Sequence, residues 1–149
     1  MRTREAPVER RLEEDYILDA QVGFVLRQAQ QRHTTIFASL MINGLTPTQW
    51  AALAKLKEVG PSSQNLLGRL TAMDAATIKG VIDRLTKRGF TKTKSDPSDG
   101  RRLLVALTDK GAALCERARP IAAHITEETL APLNERERTE LLTLLGRLT

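Results

Sequence analysis

The sequence contains little of what metal sites, disulfides and single-strand binding surfaces require. It has one cysteine, Cys115, and two histidines, His33 and His124, in 149 residues. One cysteine cannot form an internal disulfide, and these three side chains lack the spacing of metal ligands. Aromatic residues make up 3% of the chain, which is too few for the stacking platforms of single-strand binders. We therefore expect no metal and no single-stranded nucleic acid.

Catalytic and membrane signatures are missing as well. We find no P-loop, no glycine-rich dinucleotide turn and no nucleophile elbow, so we expect no enzyme and no cofactor. No apolar run is long enough to span a bilayer, and the charged start of the chain lacks the apolar core of a signal peptide. Together with the single cysteine, this favours a cytoplasmic protein. Hydrophobic residues at 41% and charged residues at 28% predict one globular domain.

Positive charge is concentrated in residues 69–102. This segment carries nine lysines and arginines against four aspartates. The excess of five equals the net charge of the chain, and the other 115 residues balance at 14 basic and 14 acidic groups. Surfaces usually mix the two signs, so a concentrated basic segment indicates a polyanion partner. The scarcity of aromatic residues favours double-stranded DNA.

The pattern inside this segment predicts a helix followed by a basic hairpin. Asp74 can cap a helix and Gly89 can end it. Its apolar face has the spacing of an amphipathic helix and consists of Ile78, Val81, Ile82 and Leu85. The alternating residues 91–95, the turn DPSDG and the returning residues 101–107 then predict a hairpin. Such a helix fits a major groove, and the hairpin tip can reach phosphates or the minor groove.

The remaining elements predict a mainly helical chain. Residues 1–11 are interpreted as a loose arm, and a helix from Leu12 to Met41 would be about 45 Å long. Its first half is either core or packs on another subunit. Thr46 and Gln49 form a capping box, Ser62 or Ser63 caps a short third helix, and the two short helices before residue 89 predict a helix-turn-helix. A fifth helix should be disturbed at Pro120.

The last helix should begin at Asn134. It is unusually rich in leucine, and leucines on a terminal helix are expected either to join the core or to pack on a second copy. The residues concerned are Leu141, Leu142, Leu144, Leu145 and Leu148.

Three stretches together resemble the MarR family of winged-helix transcription regulators. They are residues 45–50 (LTPTQW), residues 78–89 (with VIDRL and RG) and residues 99–111 (DGRR, then LTDKG). The resemblance implies a mainly α fold with a small β-hairpin wing. It also implies a homodimer built from residues 12–42 and 112–149, and a DNA-binding lobe at residues 45–111. Arg101 matches the wing arginine of the family, and Asp99 matches the aspartate that positions it.

The predicted partners are therefore a second copy, a pseudo-palindromic operator and a small aromatic or phenolic acid that releases the DNA. Thr77 and Lys79 are the expected base readers, and Arg84 is expected to contact phosphate. The other predicted DNA contacts are Ser62, Ser63, Gln64, Ala75, Ala76, Lys92, Lys94, Asp99, Arg101 and Arg102.

An aromatic acid needs a flat apolar slot and a cation or donor for its carboxylate. Its predicted site consists of Arg27, His33, Phe37, Met41 and Trp50, although each of these is also a plausible core or surface residue. Some family members respond to thiol oxidation, but Cys115 is interpreted as a small buried residue.

Two alternatives stay open at the level of sequence. The basic hairpin of a winged helix can also bind an acidic protein. A DNA-coating protein without sequence preference or ligand control is conceivable too, because Ala75, Ala76 and Gly80 are too small for bidentate contacts with bases.

Overall fold

The computed structural model describes residues 16–149, so the arm predicted for residues 1–11 and the predicted helix start at Leu12 lie outside the described residues. The described part forms a short 3₁₀ turn (Leu18–Ala20) followed by six helices and one hairpin. The helices are α1 (Val22–Leu40), α2 (Pro47–Val59), α3 (Gln64–Leu70), α4 (Ala75–Lys87), α5 (Asp109–Thr129) and α6 (Glu135–Gly146). The hairpin pairs β1 (Thr91–Ser95) with β2 (Leu103–Leu107) in antiparallel register, Thr91 opposite Leu107.

The first helix is shorter than the sequence predicts. It has 19 residues, or about 28 Å, and the prediction of a continuous helix from residue 12 is wrong. Gln21, just before it, is extended with φ −86° and ψ 133°. Its side-chain amide donates to the carbonyl of Ile17 at 2.9 Å, so the preceding turn closes on itself. The helix ends before Asn43 and Gly44, which both have positive φ.

The predicted helix starts are confirmed, because capping depends on local chemistry. The side chains of Thr46, Ser63, Asp74, Thr108 and Asn134 each accept a hydrogen bond from the backbone N–H three residues later. Each bond satisfies one of the free N–H groups of a first helical turn. Five of the six helices therefore begin where a side chain in the sequence specifies.

One hydrophobic core joins α2, α3, α4, the hairpin and α5. It fixes α4 along one face only, so the opposite face of that helix remains exposed. The largest fully buried side chains of the described residues are Leu53, Leu67, Ile78, Leu85, Leu114 and Ile125, and all but Ile125 belong to this core.

The start of α5 packs directly against Phe90, which lies three residues after the end of α4. The backbone of Gly111 lies so close to Phe90 that an added Cβ would overlap the Phe90 carbonyl oxygen and come within 2.9 Å of its carbon. Thr108 donates from its hydroxyl to the carbonyl of Gly89 at 2.6 Å. The ammonium of Lys110 lies 4.8 Å from the centre of the Phe90 ring, in the range of cation–π attraction. This junction holds the end of α4 against α5.

Pro120 does not interrupt α5, which continues as one helix to Thr129.

The two ends of the described chain carry exposed apolar residues. Within residues 16–149, α6 buries no side chain, although it is rich in leucine. On α1, Val22, Val25 and Leu26 are also exposed, whereas Phe37 on the second half of that helix is buried. An apolar surface is therefore left exposed at both ends of the described residues.

Candidate nucleic-acid interface

The exposed face of α4 begins with small side chains. Asp74 accepts a hydrogen bond from the backbone N–H of Thr77 at 2.7 Å, which fixes the first turn. These bonds to Thr77 also hold the pKa of the Asp74 carboxyl below its usual value. Thr77, Ala75 and Ala76 are exposed, so the first turn presents two methyl groups and one hydroxyl. Such a surface permits a close approach to another molecule.

The tight turn between α3 and α4 sets the position of this face. Ala72 adopts a left-handed conformation with φ 54°, and the N–H of Met73 donates to the carbonyl of Gly68 at 2.9 Å. A Cβ added to Gly68 would lie 3.1 Å from a methyl of Ile78. Gly68 therefore allows α3 and α4 to pack closely, and a larger residue at this position would press against Ile78.

Farther along α4, charged side chains border the small residues. Lys79 and Asp83 form an ion pair with Nζ and Oδ2 2.8 Å apart. The guanidinium of Arg84 extends toward Gly80, where an added Cβ would lie 3.4 Å from its Nη1. The sequence prediction named Lys79 and Arg84 but left out Asp83, because an acidic residue in a basic segment gives no local sign of its role.

The hairpin presents its basic residues outward. Lys92 and Lys94 on β1 are exposed, and so are Arg101 and Arg102 just before β2. The tip is ordered by Asp96, whose carboxylate accepts hydrogen bonds from the hydroxyl and the N–H of Ser98 at 2.7 and 2.9 Å. These bonds, aided by Arg102, keep the pKa of Asp96 below its usual value. The tip is thus held in shape by its own carboxylate.

Asp99 holds the backbone of the turn that carries the wing arginine. Its carboxylate accepts a hydrogen bond from the backbone N–H of Arg101 at 3.1 Å. No ion pair joins the two side chains among the described residues. Asp99 therefore positions the backbone of the turn, because a two-residue spacing favours a local turn bond, and the side chain of Arg101 is exposed.

The two serines before α3 have different surroundings. Ser63 caps α3, and its hydroxyl accepts a hydrogen bond from Arg102 at 3.2 Å. Ser62 is buried, pairs with Val105 of β2 through two backbone hydrogen bonds and donates its hydroxyl to the carbonyl of Gly60. The prediction that Ser62 contacts phosphate is not supported by this position, because its polar groups are already used inside the protein. Ser63 and Gln64 are half-exposed beside the hairpin.

Three residues of the predicted effector site lie together. His33 and Phe37 of α1 and Trp50 of α2 line a cavity of about 300 Å³. Its other wall is formed by α5, with Ala122, Ala123, Ile125 and Thr126. Met41 instead packs against the hydrophobic core, and Arg27 is exposed on α1 and does not line the cavity. The described residues thus assemble the flat apolar part of the predicted site but not the arginine.

A hydrogen-bond chain fixes the orientation of His33. The hydroxyl of Thr129 donates to the carbonyl of Ile125 at 2.8 Å, so its oxygen accepts from Nδ1 of His33, also at 2.8 Å. With the hydrogen on Nδ1, Nε2 has no hydrogen-bond partner among residues 16–149 and can bind a ligand. Arg32 reinforces this contact by donating to the carbonyls of Glu128 and Thr129 at the end of α5.

A larger cleft of about 500 Å³ adjoins the first and shares Trp50 and Ala122 with it. It adds two cations, Lys57 and Arg119, and Lys57 is paired with Glu116 at 3.2 Å. The sequence prediction missed both cations, since they lie on helices that come together only in the fold. Cys115 also lines this cleft but is 2% exposed, and burial raises the pKa of its thiol, which disfavours the reactive thiolate.

Comparison with known proteins decides the family. The sequence model of the MarR family matches residues 45–103. The repressor NicR of Pseudomonas putida, of the helix-turn-helix type, is 42% identical over 134 residues, which cover 89% of this chain and 85% of NicR. The chain belongs to the MarR family. It is a DNA-binding transcription regulator of the repressor type.

Solved structures of other MarR-type regulators agree with the fold. A probable transcriptional regulator from Pseudomonas aeruginosa is 56% identical, with a TM-score of 0.87 over 89% of this chain and 100% of that one. BpsR of Bordetella bronchiseptica, whose DNA binding is regulated by 6-hydroxynicotinic acid, is 40% identical, with a TM-score of 0.85 over 89% and 96% of the two chains. The resemblance stated from the sequence is confirmed, as is the mainly helical fold with a β-hairpin wing.

Across residues 16–149, no group of three or more His, Cys, Asp or Glu side chains is arranged to hold a metal ion. No helix in the same part of the chain is long and apolar enough to cross a bilayer.

Proposed function

We propose that this protein is a cytoplasmic homodimer that represses transcription at a pseudo-palindromic operator and leaves it when a small aromatic carboxylic acid binds. The main support is the surface formed by α4 and the hairpin. There, exposed basic side chains border a helix face that begins with Ala75 and Ala76. A small, close-fitting helix face suits a major groove, and the wing arginine Arg101 extends from the hairpin toward the adjacent minor groove.

The homodimer is supported by the apolar residues that the single chain leaves exposed. Val22 and Val25 on α1 and Leu142, Leu144 and Leu148 at the end of the chain are all at least 48% exposed. Two such ends, packed on their copies around a two-fold axis, would remove these side chains from water. Two α4 helices would then lie about 34 Å apart, one turn of DNA, and would read the two halves of a palindrome.

Sedimentation equilibrium tests the dimer. We expect twice the protomer mass at micromolar concentration, and the Leu142→Asp variant should shift the protein toward protomers because it places a charge in the apolar contact. A wild-type protein that sediments as one protomer throughout this range would contradict the proposal.

The effector proposal is supported by the chemistry of the two adjoining cavities. Phe37 and Trp50 supply flat apolar walls, and His33, which also lines this cavity, keeps Nε2 available for a polar contact. The larger cavity adds the cation Arg119, which has no carboxylate within 4.0 Å among the described residues. A relative 40% identical to this chain has its DNA binding regulated by 6-hydroxynicotinic acid. We therefore propose a hydroxylated pyridine or benzene carboxylate as the ligand.

Release follows as a population shift. A ligand between α1, α2 and α5 contacts the first helix and the DNA-binding lobe at the same time. The ligand releases DNA only if it binds one arrangement of the dimer more tightly than the other. In the favoured arrangement, the spacing of the two α4 helices does not match the major grooves. A ligand with a 100-fold preference changes the operator affinity by at most the same factor.

Thermal melting with 6-hydroxynicotinic acid tests the effector site. At a ligand concentration of about 100 times Kd, stabilisation of about 2.7 kcal/mol should raise Tm by roughly 5–10 °C. Nicotinamide, which lacks the carboxylate, serves as the control ligand. His33→Ala should abolish the shift. His124 is exposed and its Nε2 lies 3.9 Å from a carboxylate oxygen of Glu128, so His124→Ala should leave the shift unchanged. If no hydroxylated aromatic acid raises Tm while the protein binds DNA, ligand control of this kind is wrong.

DNA binding itself is tested by replacing the wing arginine. Arg101→Ala should weaken operator binding because it removes the side chain proposed for the minor groove. Arg136→Ala removes the same charge from the first turn of α6 and should have little effect. An operator affinity that Arg101→Ala leaves unchanged would place the wing outside the interface.

A further inference from the structure

Asp83 occupies an unexpected position for an acidic residue of a DNA-binding helix. The core face of α4 is defined by four buried side chains, namely Ile78, Val81, Ile82 and Leu85. The helical repeat of 3.6 residues then places the residues farthest from the core on one stripe. This stripe, which we call the outer stripe, consists of Ala76, Gly80, Asp83 and Lys87. A carboxylate therefore lies at the centre of the proposed DNA-facing surface.

We propose that Asp83, together with Lys79, reads a G·C base pair in each half of the operator. The inference rests on the proposed function, in which α4 enters the major groove. In that groove cytosine presents an amino donor, and guanine presents two acceptors, N7 and O6. The Asp83 carboxylate accepts from the cytosine amino group, and the Lys79 ammonium donates to guanine.

The geometry of the pair matches this task. The Lys79 Nζ and the Asp83 Oδ2 are 2.8 Å apart, and the two side chains are 65% and 61% exposed. An ammonium has three donors and a carboxylate has two acceptor oxygens, so each group keeps free capacity while bonded to the other. An adjacent donor and acceptor on the protein can meet the acceptor and donor edges that one base pair presents side by side.

The small residues of the outer stripe explain how these side chains reach the bases. Ala76 and Gly80 cannot make hydrogen bonds with their side chains, but they allow the helix backbone to approach the DNA closely. The next residue along the stripe is Asp83. A short aspartate side chain can touch a base only from a helix that lies deep in the groove.

A purely structural role for the pair is less consistent with its surroundings. Intrahelical pairs four residues apart are more favourable when the acid precedes the lysine, and here the lysine comes first. Exposed ion pairs contribute little to stability in any case. A carboxylate on this surface, even one paired with Lys79, would repel phosphates, since the DNA backbone carries a high negative charge. The carboxylate is therefore best explained by a hydrogen-bond donor on the DNA.

Selection from a duplex library tests the inference. The library carries a randomised stretch of about two helical turns, long enough for both half-sites, and it is selected separately with the wild type and with Asp83→Asn. The wild type should select cytosine paired with guanine at one symmetric position in each half-site. Asp83→Asn should lose this preference by about fivefold or more, or shift it toward adenine, which asparagine binds through N6 and N7.

A matched control uses the exposed pair of Lys55 and Glu58 on α2, whose charged atoms are 2.7 Å apart. Glu58→Gln removes a carboxylate from a similar pair outside α4 and should keep every base preference of the wild type. Circular dichroism and melting establish that both variants fold. Lost discrimination at one symmetric position in Asp83→Asn alone supports the inference.

Two results would overturn it. Asp83→Asn could keep the wild-type preferences unchanged, or it could bind all sequences more tightly by one common factor, which would reduce Asp83 to a group that repels phosphates. Failure of the proposed function looks different, because the wild type itself would then enrich no sequence.

Discussion

Gly80 lies in the outer stripe of α4, and this position leads to an unusual prediction. Replacing Gly80 with alanine should make the protein more stable but weaken its binding to DNA. Gly80 lies inside a helix and does not have positive φ, so alanine fits the backbone. The added Cβ would meet one atom, Nη1 of Arg84 at 3.4 Å, at the flexible end of a long side chain. Alanine is favoured over glycine inside a helix by about 0.8–1.0 kcal/mol, which corresponds to a rise in Tm of roughly 2–4 °C.

The effect on DNA binding should have the opposite sign. The new methyl group projects from the surface that we place deepest in the major groove, so it holds the helix away from the bases. Loss of one specific base contact costs about 1–3 kcal/mol, and we therefore expect operator affinity to fall by a factor between about 5 and 150. Fluorescence anisotropy with a labelled operator duplex measures this change, and differential scanning calorimetry measures Tm.

Gly23→Ala provides the control for this pair of measurements. Gly23 lies in α1, and no heavy atom of residues 16–149 would lie within 4 Å of its added Cβ. Gly23→Ala should therefore be tolerated without weakening DNA binding. If Gly80→Ala leaves operator affinity unchanged or increases it, α4 does not approach DNA through this stripe. The reasoning behind the small residues would then be refuted.

Three further predictions concern other parts of the chain. Gly111→Ala should lower the free energy of unfolding by about 1–3 kcal/mol or more, measured by urea titration, because the new methyl overlaps the Phe90 carbonyl; an unchanged midpoint would contradict the close packing. Lys92→Ala should flatten the plot of log affinity against log salt by about 0.9 without changing the preferred sequence, and an unchanged slope would place Lys92 away from phosphate. Cys115 should react with a thiol reagent far more slowly in the native protein than in urea, since it is buried with a raised pKa. Because the folded protein favours the protonated thiol, the contribution of Cys115 to the free energy of unfolding is fully present below about pH 8.5. That contribution is lost as pH rises through the folded pKa.

Features that depend on a few neighbouring residues could be predicted from the sequence. Asp74 and Thr108 cap their helices as expected, because a cap needs only a side-chain oxygen and an N–H three residues away. The apolar spacing in α4 predicted its buried face, since the helical repeat fixes which residues share a side. Gly89 ends that region with φ 81°, as a residue with a positive φ after a helix should.

Features that depend on distant contacts could not be predicted in this way. Ser62 and Ser63 are adjacent and chemically identical, yet the pairing of Ser62 with Val105 buries one of them and leaves the other to cap α3. The start of α1 was also misplaced, because the turn that precedes it closes through the Gln21 side chain and leaves no periodic signal.

The sequence alone determined where the positive charge lies, where five helices begin and which face of α4 is buried, because these properties arise from composition and from interactions over three or four residues. Only the tertiary structure decided which side chains from different helices come together to form a site. His33 meets Thr129 across 96 positions of the chain, and the cavity beside them needs three helices packed at fixed distances. Such an arrangement depends on the whole core, since no local rule of backbone or side-chain geometry specifies how separate helices come together.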